Sequence, residues 1–157
     1  MGRRSVSPAH PMSSSSAPDS ADDASFLDNL GGVASLLDIT LSEYGPERVV
    51  ATMPVTPDHH QPFGMLHGGV SVVLAESVAS VGGFLAAPDG HTAAGLEVNA
   101  NHVRPVRDGR LVAVATPLHT GRSTHVWQVK IRREADETLV CVSRCTLAIV
   151  DRSDAPS

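Results

Sequence analysis

Between Val70 and Ala87 one ionisable side chain, Glu76, interrupts an otherwise apolar run. Val72, Val73, Leu74, Val78, Val81, Phe84 and Leu85 surround it at positions that cover every face of a 3.6-residue helix. A helix apolar all round is expected to be buried. A carboxylate buried without a partner costs on the order of a few kcal/mol, so a lone one in such a helix has either a partner or a chemical task. The partner reading is a Glu76 capped by nearby backbone or by the Ser77 or Ser80 hydroxyl. Ser80 stands one turn after Glu76, where its hydroxyl can hold the carboxylate or a water.

The helix opens on His67-Gly68-Gly69. Glycines at a helix start leave bare N–H groups at the positive end of the helix dipole, where they bind an anion or stabilise a developing oxyanion. The alternative is that glycines only allow close packing, which is the expectation for Gly82-Gly83 further along. Gly68 and Glu76 are eight residues apart, about 12 Å along the axis. One carbonyl cannot reach both groups on one helix, since each must approach within about 3 Å. If the two cooperate, they come from two chains with antiparallel helices, and the active site is shared across a homodimer.

The run Gln61-Pro62-Phe63-Gly64-Met65-Leu66-His67-Gly68-Gly69, then Ser71-Val72-Val73-Leu74-Ala75-Glu76-Ser77, closely resembles hotdog-fold acyl-CoA thioesterases. The nearest branch holds the phenylacetate-pathway, 4-hydroxybenzoyl-CoA and 1,4-dihydroxy-2-naphthoyl-CoA thioesterases and the proofreading thioesterase of enterobactin synthesis. The resemblance continues through Gly95-Leu96-Glu97-Val98-Asn99-Ala100-Asn101-His102-Val103-Arg104-Pro105 and Pro117-Leu118-His119, and spans roughly Phe26 to Val150. It implies an α+β hotdog fold, an antiparallel sheet wrapped around a long central helix, and hydrolysis of an acyl-CoA to free acid and coenzyme A. Glu76 matches the family's catalytic carboxylate, which attacks the thioester or activates a water beside it; the sequence leaves both routes open. Gly68 matches the N–H that polarises the thioester carbonyl, and Gln61 and His67 match positions beside that carbonyl. His102 and Arg104 resemble positions near the coenzyme A nucleotide, where Arg suits phosphate; the alternative is a solvated strand end. Arg122-Ser123, at a turn, is a weaker phosphate candidate. The resemblance further implies an aromatic acyl group, with 1,4-dihydroxy-2-naphthoyl-CoA (a menaquinone-biosynthesis substrate) ahead of 4-hydroxybenzoyl-CoA, and a homodimer or homotetramer. No cofactor is required for this hydrolysis. Two other readings stay open: a non-catalytic acyl-CoA-binding hotdog module, and a hotdog enoyl-CoA hydratase or dehydratase. The intact Glu76, Gly68 and Gln61 speak against the first. The absence of a His partner for Glu76 on the helix speaks against the second.

The rest of the chain supplies the elements that position these groups. At 157 residues one domain is expected, and a hydrophobic share of 41% is enough for a core. A net charge of −5 with 3% aromatics argues against a nucleic-acid partner. The apolar stretch broken by Glu76 argues against a membrane span. Residues 1–24, rich in Ser, Pro, Ala and Asp, are expected to be a disordered tail, with the thioesterase domain over 25–151 and a flexible end over 152–157. Arg3-Arg4 is not followed by an apolar stretch, so a secretory signal is rejected. With the two thiols Cys141 and Cys145, which share a strand face about 13 Å apart, a reducing cytoplasm is expected. Phe26, Leu30, Val33 and Leu37 have helical spacing weakened by Gly31-Gly32. Ile39–Glu43 and Arg48–Val55 read as strands around a Tyr44-Gly45-Pro46-Glu47 turn, followed by a loop over Thr56–Met65. After the helix, ended by Pro88-Asp89-Gly90, four strands are expected near 93–104, 110–118, 123–133 and 138–150. Their connections are Arg107-Asp108-Gly109, His119-Thr120-Gly121 and Ala135-Asp136-Glu137. In the third strand His125, Trp127, Val129 and Ile131 share one face, with Thr124, Gln128, Lys130 and Arg132 mostly on the other. His59, His60 and His67 do not repeat a metal-binding spacing, and no metal is expected.

Overall fold

Buried and open positions alternate along the central strands of the sheet. In the computed structural model, which describes residue 27 and residues 30–154, His125, Trp127, Val129 and Ile131 are all buried on one face of Thr124–Arg133. The tail expected over residues 1–24, and Phe26, lie outside the described residues. In chain order the elements are α1 (Gly32–Leu36), β1 (Thr40–Tyr44), β2 (Val49–Pro54), a 3-10 turn (Pro57–His59), β3 (His60–Gln61), β4 (Met65–Leu66) and α2 (Gly68–Ala86). β5 (His91–His102), β6 (Arg110–Thr120), β7 (Thr124–Arg133), β8 (Leu139–Asp151) and a last 3-10 turn (Arg152–Asp154) follow. Six strands make one antiparallel sheet in the order β1-β2-β6-β7-β8-β5, and α2 packs against its inner face. This is the expected α+β hotdog arrangement.

Close contact between α2 and the sheet requires two glycines. A Cβ on Gly82 would stand 2.5 Å from the Trp127 ring, and one on Gly83 would run into the Leu147 side chain. Both helix residues and both sheet residues are buried. The pair therefore brings helix and sheet backbones together, the packing role expected of it. Cys141 and Cys145 lie on the same inner face, buried and unpaired.

Two expectations are corrected. First, α2 is not enclosed on every side. Ser71, Leu74, Ala75, Val78, Ala79, Val81, Gly82 and Gly83 are buried, while Val72, Val73, Glu76, Ser77 and Ser80 are only half-buried. One chain's sheet covers one face of a helix, and apolar residues on the opposite face need a second surface. Second, the loop over Thr56–Met65 contains local structure: Pro57 starts a 3-10 turn with His59 in a capping box with Thr56, and β3 and β4 pair as a miniature hairpin. After β8, Arg152–Asp154 form a 3-10 turn. Arg152 donates from its backbone N–H to Gly90 O and from Nε to His91 O, and its guanidinium lies 5.0 Å from the Phe84 ring centroid. Cation–π attraction and hydrogen bonding both act on Arg152.

The two sheet edges differ. β1 is five residues long, whereas β5 is twelve, with an open outer side and Leu96 64% exposed. β5 bulges between Gly95 and Glu97. Near the chain start the helical spacing is broken where Gly31 (φ 63°) and Gly32 (φ 49°) turn left-handed, which leaves α1 only five residues long.

Candidate active site

His67 ends the approach to α2 in an extended conformation, and its Nδ1 accepts a hydrogen bond from Gly69 N at 2.9 Å. That cap satisfies one of the orphan donors of the first turn. The Gly68 N–H beside it makes no hydrogen bond among the described residues. It opens into a cleft of about 290 Å³ lined by Gln61, Gly68, Ser71, His102, Arg104 and Val106, among others. His102 crosses directly over Gly68: a Cβ there would lie 2.8 Å from His102 Nε2. The glycine is what lets an imidazole and a free amide share this corner. His102 pairs with Cys141, which pairs with Ile131 across the sheet, so it sits at the sheet end nearest the start of α2.

Gln61 enters the same cleft from β3. Its Oε1 accepts from Phe63 N at 2.7 Å, which leaves its amide NH2 as the free donor. The strand β5 stops at His102, short of the end near 104 that the sequence pattern predicts, so Arg104 stands beyond the strand; both still line the cleft. Val103 N and Arg104 N both donate to Val140 O, so the regular ladder is already broken before Pro105.

Glu76 is elsewhere. It lines a second hollow, of about 450 Å³, on the open face of α2 with Val73, Ser77, Ser80 and Val81. Leu30, Gly31, Gly32, Val33 and Ala34 form the facing wall. The carboxylate accepts no hydrogen bond from any described residue. Ser77 is not its cap: Ser77 Oγ donates to Val73 O at 2.8 Å. Ser80 lies beside it in the hollow, as the one-turn spacing predicts. The carboxylate also reaches the inner face of the sheet. Burial pushes the Cys145 thiol up to about 11, and the negative charges of Glu76 and Glu97 add to the shift.

The structure therefore brings Gln61, Gly68, His102 and Arg104 together in one cleft, and Glu76 with Ser80 in another. His67 works as a helix cap and does not line either hollow. Arg122 and Ser123 are exposed at the β6–β7 turn. Ser123 is eight residues before Ile131, roughly 26 Å along the strand from the level of His102, so one chain does not bring them to the cleft. Each loop histidine has a local partner: His59 Nδ1 is 3.0 Å from Pro54 O, and His60 Nε2 donates to Arg107 O at 2.8 Å. Among the described residues, no three His, Cys, Asp or Glu side chains gather as a metal set. Sequence reading missed two residues. Gly95 gives Glu76 room, and a lone glycine in a strand is the signal that points to it. Arg107 binds the Gln61 turn, and nothing in the sequence sets it apart from other turn arginines.

Residues 63–140 match the model of the Thioesterase superfamily. The 1,4-dihydroxy-2-naphthoyl-CoA hydrolase of Escherichia coli is 48% identical over 120 residues, covering 76% of this chain and 88% of that protein. The chain belongs to the thioesterase superfamily. A second 1,4-dihydroxy-2-naphthoyl-CoA hydrolase, from Listeria monocytogenes, is 43% identical over 118 residues, 75% of this thioesterase and 95% of that protein. The crystal structure of a thioesterase from Haemophilus influenzae superposes with a TM-score of 0.76 at 44% identity, covering 86% of this chain and 93% of that one. The thioesterase is thus an acyl-CoA thioester hydrolase, and of the three readings the sequence leaves open, hydrolysis is the one its family carries.

Proposed function

We propose that this thioesterase hydrolyses an aromatic acyl-CoA, with 1,4-dihydroxy-2-naphthoyl-CoA the first substrate and 4-hydroxybenzoyl-CoA or a related aroyl-CoA the second. The observation that carries the chemistry is the Glu76 carboxylate, with no hydrogen bond among the described residues, in a hollow walled by Val73, Val81, Val33 and Leu30. Apolar walls suit an aromatic acyl group, and the volume lies in the range of about 300–1,000 Å³ usual for small-molecule sites. Two relatives named for the naphthoyl-CoA activity support the order of substrates. On this reading the enzyme serves menaquinone biosynthesis in the cytoplasm.

In the proposed site, the Gly68 N–H of one chain donates to the thioester carbonyl, and the start of the helix dipole favours the oxyanion as it forms. Glu76 of a second chain acts in one of two ways. As nucleophile, its oxygen bonds to the carbonyl carbon and the carbon–sulfur bond breaks, releasing coenzyme A thiolate; water then cleaves the anhydride. As general base, it takes a proton from a water that attacks directly. Gln61 donates from its amide to the carbonyl or the water, and Ser80 holds the carboxylate or the water. His67 orients the loop by capping α2. His102 and Arg104 face coenzyme A from the cleft, with Arg122 and Ser123 offering phosphate contacts from a neighbouring chain of a homodimer or homotetramer. The uncovered face of α2 and the open edge of β5 are the surfaces a second copy would cover.

Free-thiol release over a panel of aroyl- and alkyl-CoA substrates tests the substrate, and a preference for aliphatic chains overturns the aromatic reading. Glu76→Gln preserves shape and should lower kcat by about 10²–10⁴-fold with an unchanged melting curve. A near-wild-type kcat in that variant rules out Glu76 as the reacting group.

A further inference from the structure

We propose that Arg107 is a positioning residue that sets Gln61 for catalysis without touching the substrate. The inference rests on the reading that Gln61 acts at the thioester carbonyl. Arg107 Nη1 donates to Gly64 O at 2.8 Å and to Phe63 O at 3.3 Å. In return His60 Nε2 donates to Arg107 O at 2.8 Å, and Leu66 N donates to Val106 O at 2.8 Å. These bonds clasp both arms of the β3–β4 hairpin to the segment that follows β5.

The clasp acts on one turn. Gly64 is left-handed, with φ 70°, and its N–H donates to Gln61 O at 3.0 Å. The carbonyl groups of Phe63 and Gly64 both point at the guanidinium, which fixes the planes of the peptides they belong to. The Phe63 N–H, on the preceding peptide, is the group that holds Gln61 Oε1 at 2.7 Å. A line of contacts therefore runs from Arg107 through Phe63 to the Gln61 amide, and leaves that amide's NH2 as the donor facing the cleft. Arg107 itself is exposed and does not line the cleft. Two carbonyl oxygens at one guanidinium suit Arg, whose planar, pre-organised donors Lys lacks.

A double-mutant cycle in the full-length protein tests this. Arg107→Ala should lower kcat roughly ten- to a hundredfold, the cost of a misplaced positioning group, with KM for acyl-CoA little changed. Arg107→Lys should recover part of the loss. In a Gln61→Ala background, Arg107→Ala should have no further effect on kcat, because the group it positions is gone. An equal fold-loss in both backgrounds overturns the proposal, as does a raised KM at constant kcat, which would make Arg107 a phosphate contact. Unchanged kcat in Arg107→Ala beside a clear loss in Gln61→Ala overturns Arg107 alone. Unchanged kcat in Gln61→Ala overturns the role of Gln61 and this proposal with it. Should the alanine variant melt below the assay temperature, Arg107→Lys carries the same cycle.

Discussion

Glu76 Oε1 lies 2.7 Å from the point that a Cβ on Gly95 would occupy. The carboxylate thus rests against bare backbone of the edge strand, at the start of the β5 bulge between Gly95 and Glu97. A bulge next to a bare glycine is a common way for a sheet to make room for a functional group. A side chain there would displace only the far end of Glu76, which is flexible, so the fold should tolerate it. Gly95→Ala should therefore lower kcat by about tenfold or more through a misplaced carboxylate, with an unchanged melting temperature. A full-strength enzyme, or a collapse of stability in its place, would show that the notch does not set Glu76.

The separation of Gly68 and Glu76 into two hollows of one chain predicts complementation between chains. Glu76→Gln and Gly68→Pro variants should each be inactive alone. Pro suits the backbone of a first helical position and removes the N–H; its Cβ also pushes His102 aside from above residue 68, so the variant blocks this half of the site on both counts. Mixed dimers should regain part of the activity, because one of their two sites can be built from intact halves. Absence of recovery, with subunit exchange verified by mass, argues against a shared site.

Arg104 and His102 face the cleft together, and Arg104 is exposed enough to meet a phosphate. Arg104→Ala should raise KM for acyl-CoA by the loss of a charged hydrogen bond, about 1.5–3 kcal/mol. It should leave a short acyl thioester without the nucleotide nearly unaffected. Equal losses with both substrates would move Arg104 from coenzyme A binding to the fold or the chemistry.

His125 predicts a pH effect on stability. Burial lowers its pKa below the ordinary 6.5, aided by the nearby His119 and opposed by a backbone hydrogen bond at Gly121; its Nδ1 has no partner among the described residues. The unfolded chain binds the proton more readily than the folded one, so stability is full above 6.5 and is lost as pH falls below that value. The melting temperature should drop on acidification through this window, and His125→Gln should flatten the drop. An unchanged slope in that variant would assign the acid sensitivity to other groups.

Much of this architecture was legible locally. The alternation in Thr124–Arg133 marks a half-buried strand, and His125, Trp127, Val129 and Ile131 are buried as the pattern requires. The Gly68 start, the Gly82-Gly83 contact with the sheet and the one-turn spacing of Glu76 and Ser80 follow from residue type and helical period alone. The expectation of a helix enclosed on all sides did not hold for one chain. Hydropathy reports that a surface avoids water but says nothing of whether the same chain covers it.

What the sequence determined by itself is the long helix and the six strands of the main sheet, the distance of about 12 Å between Gly68 and Glu76 on one helix, and the chemistry of a carboxylate apart from an amide donor. What only the tertiary structure decided is which distant residues meet. Arg107 reaches the turn of Gln61, His102 crosses Gly68, Gly95 makes space for Glu76, and Arg122-Ser123 remain far from the cleft. Each of these depends on sheet order and register, in which residues dozens of positions apart become neighbours. Local patterns carry the period of a strand or helix, but not the partner against which it will pair.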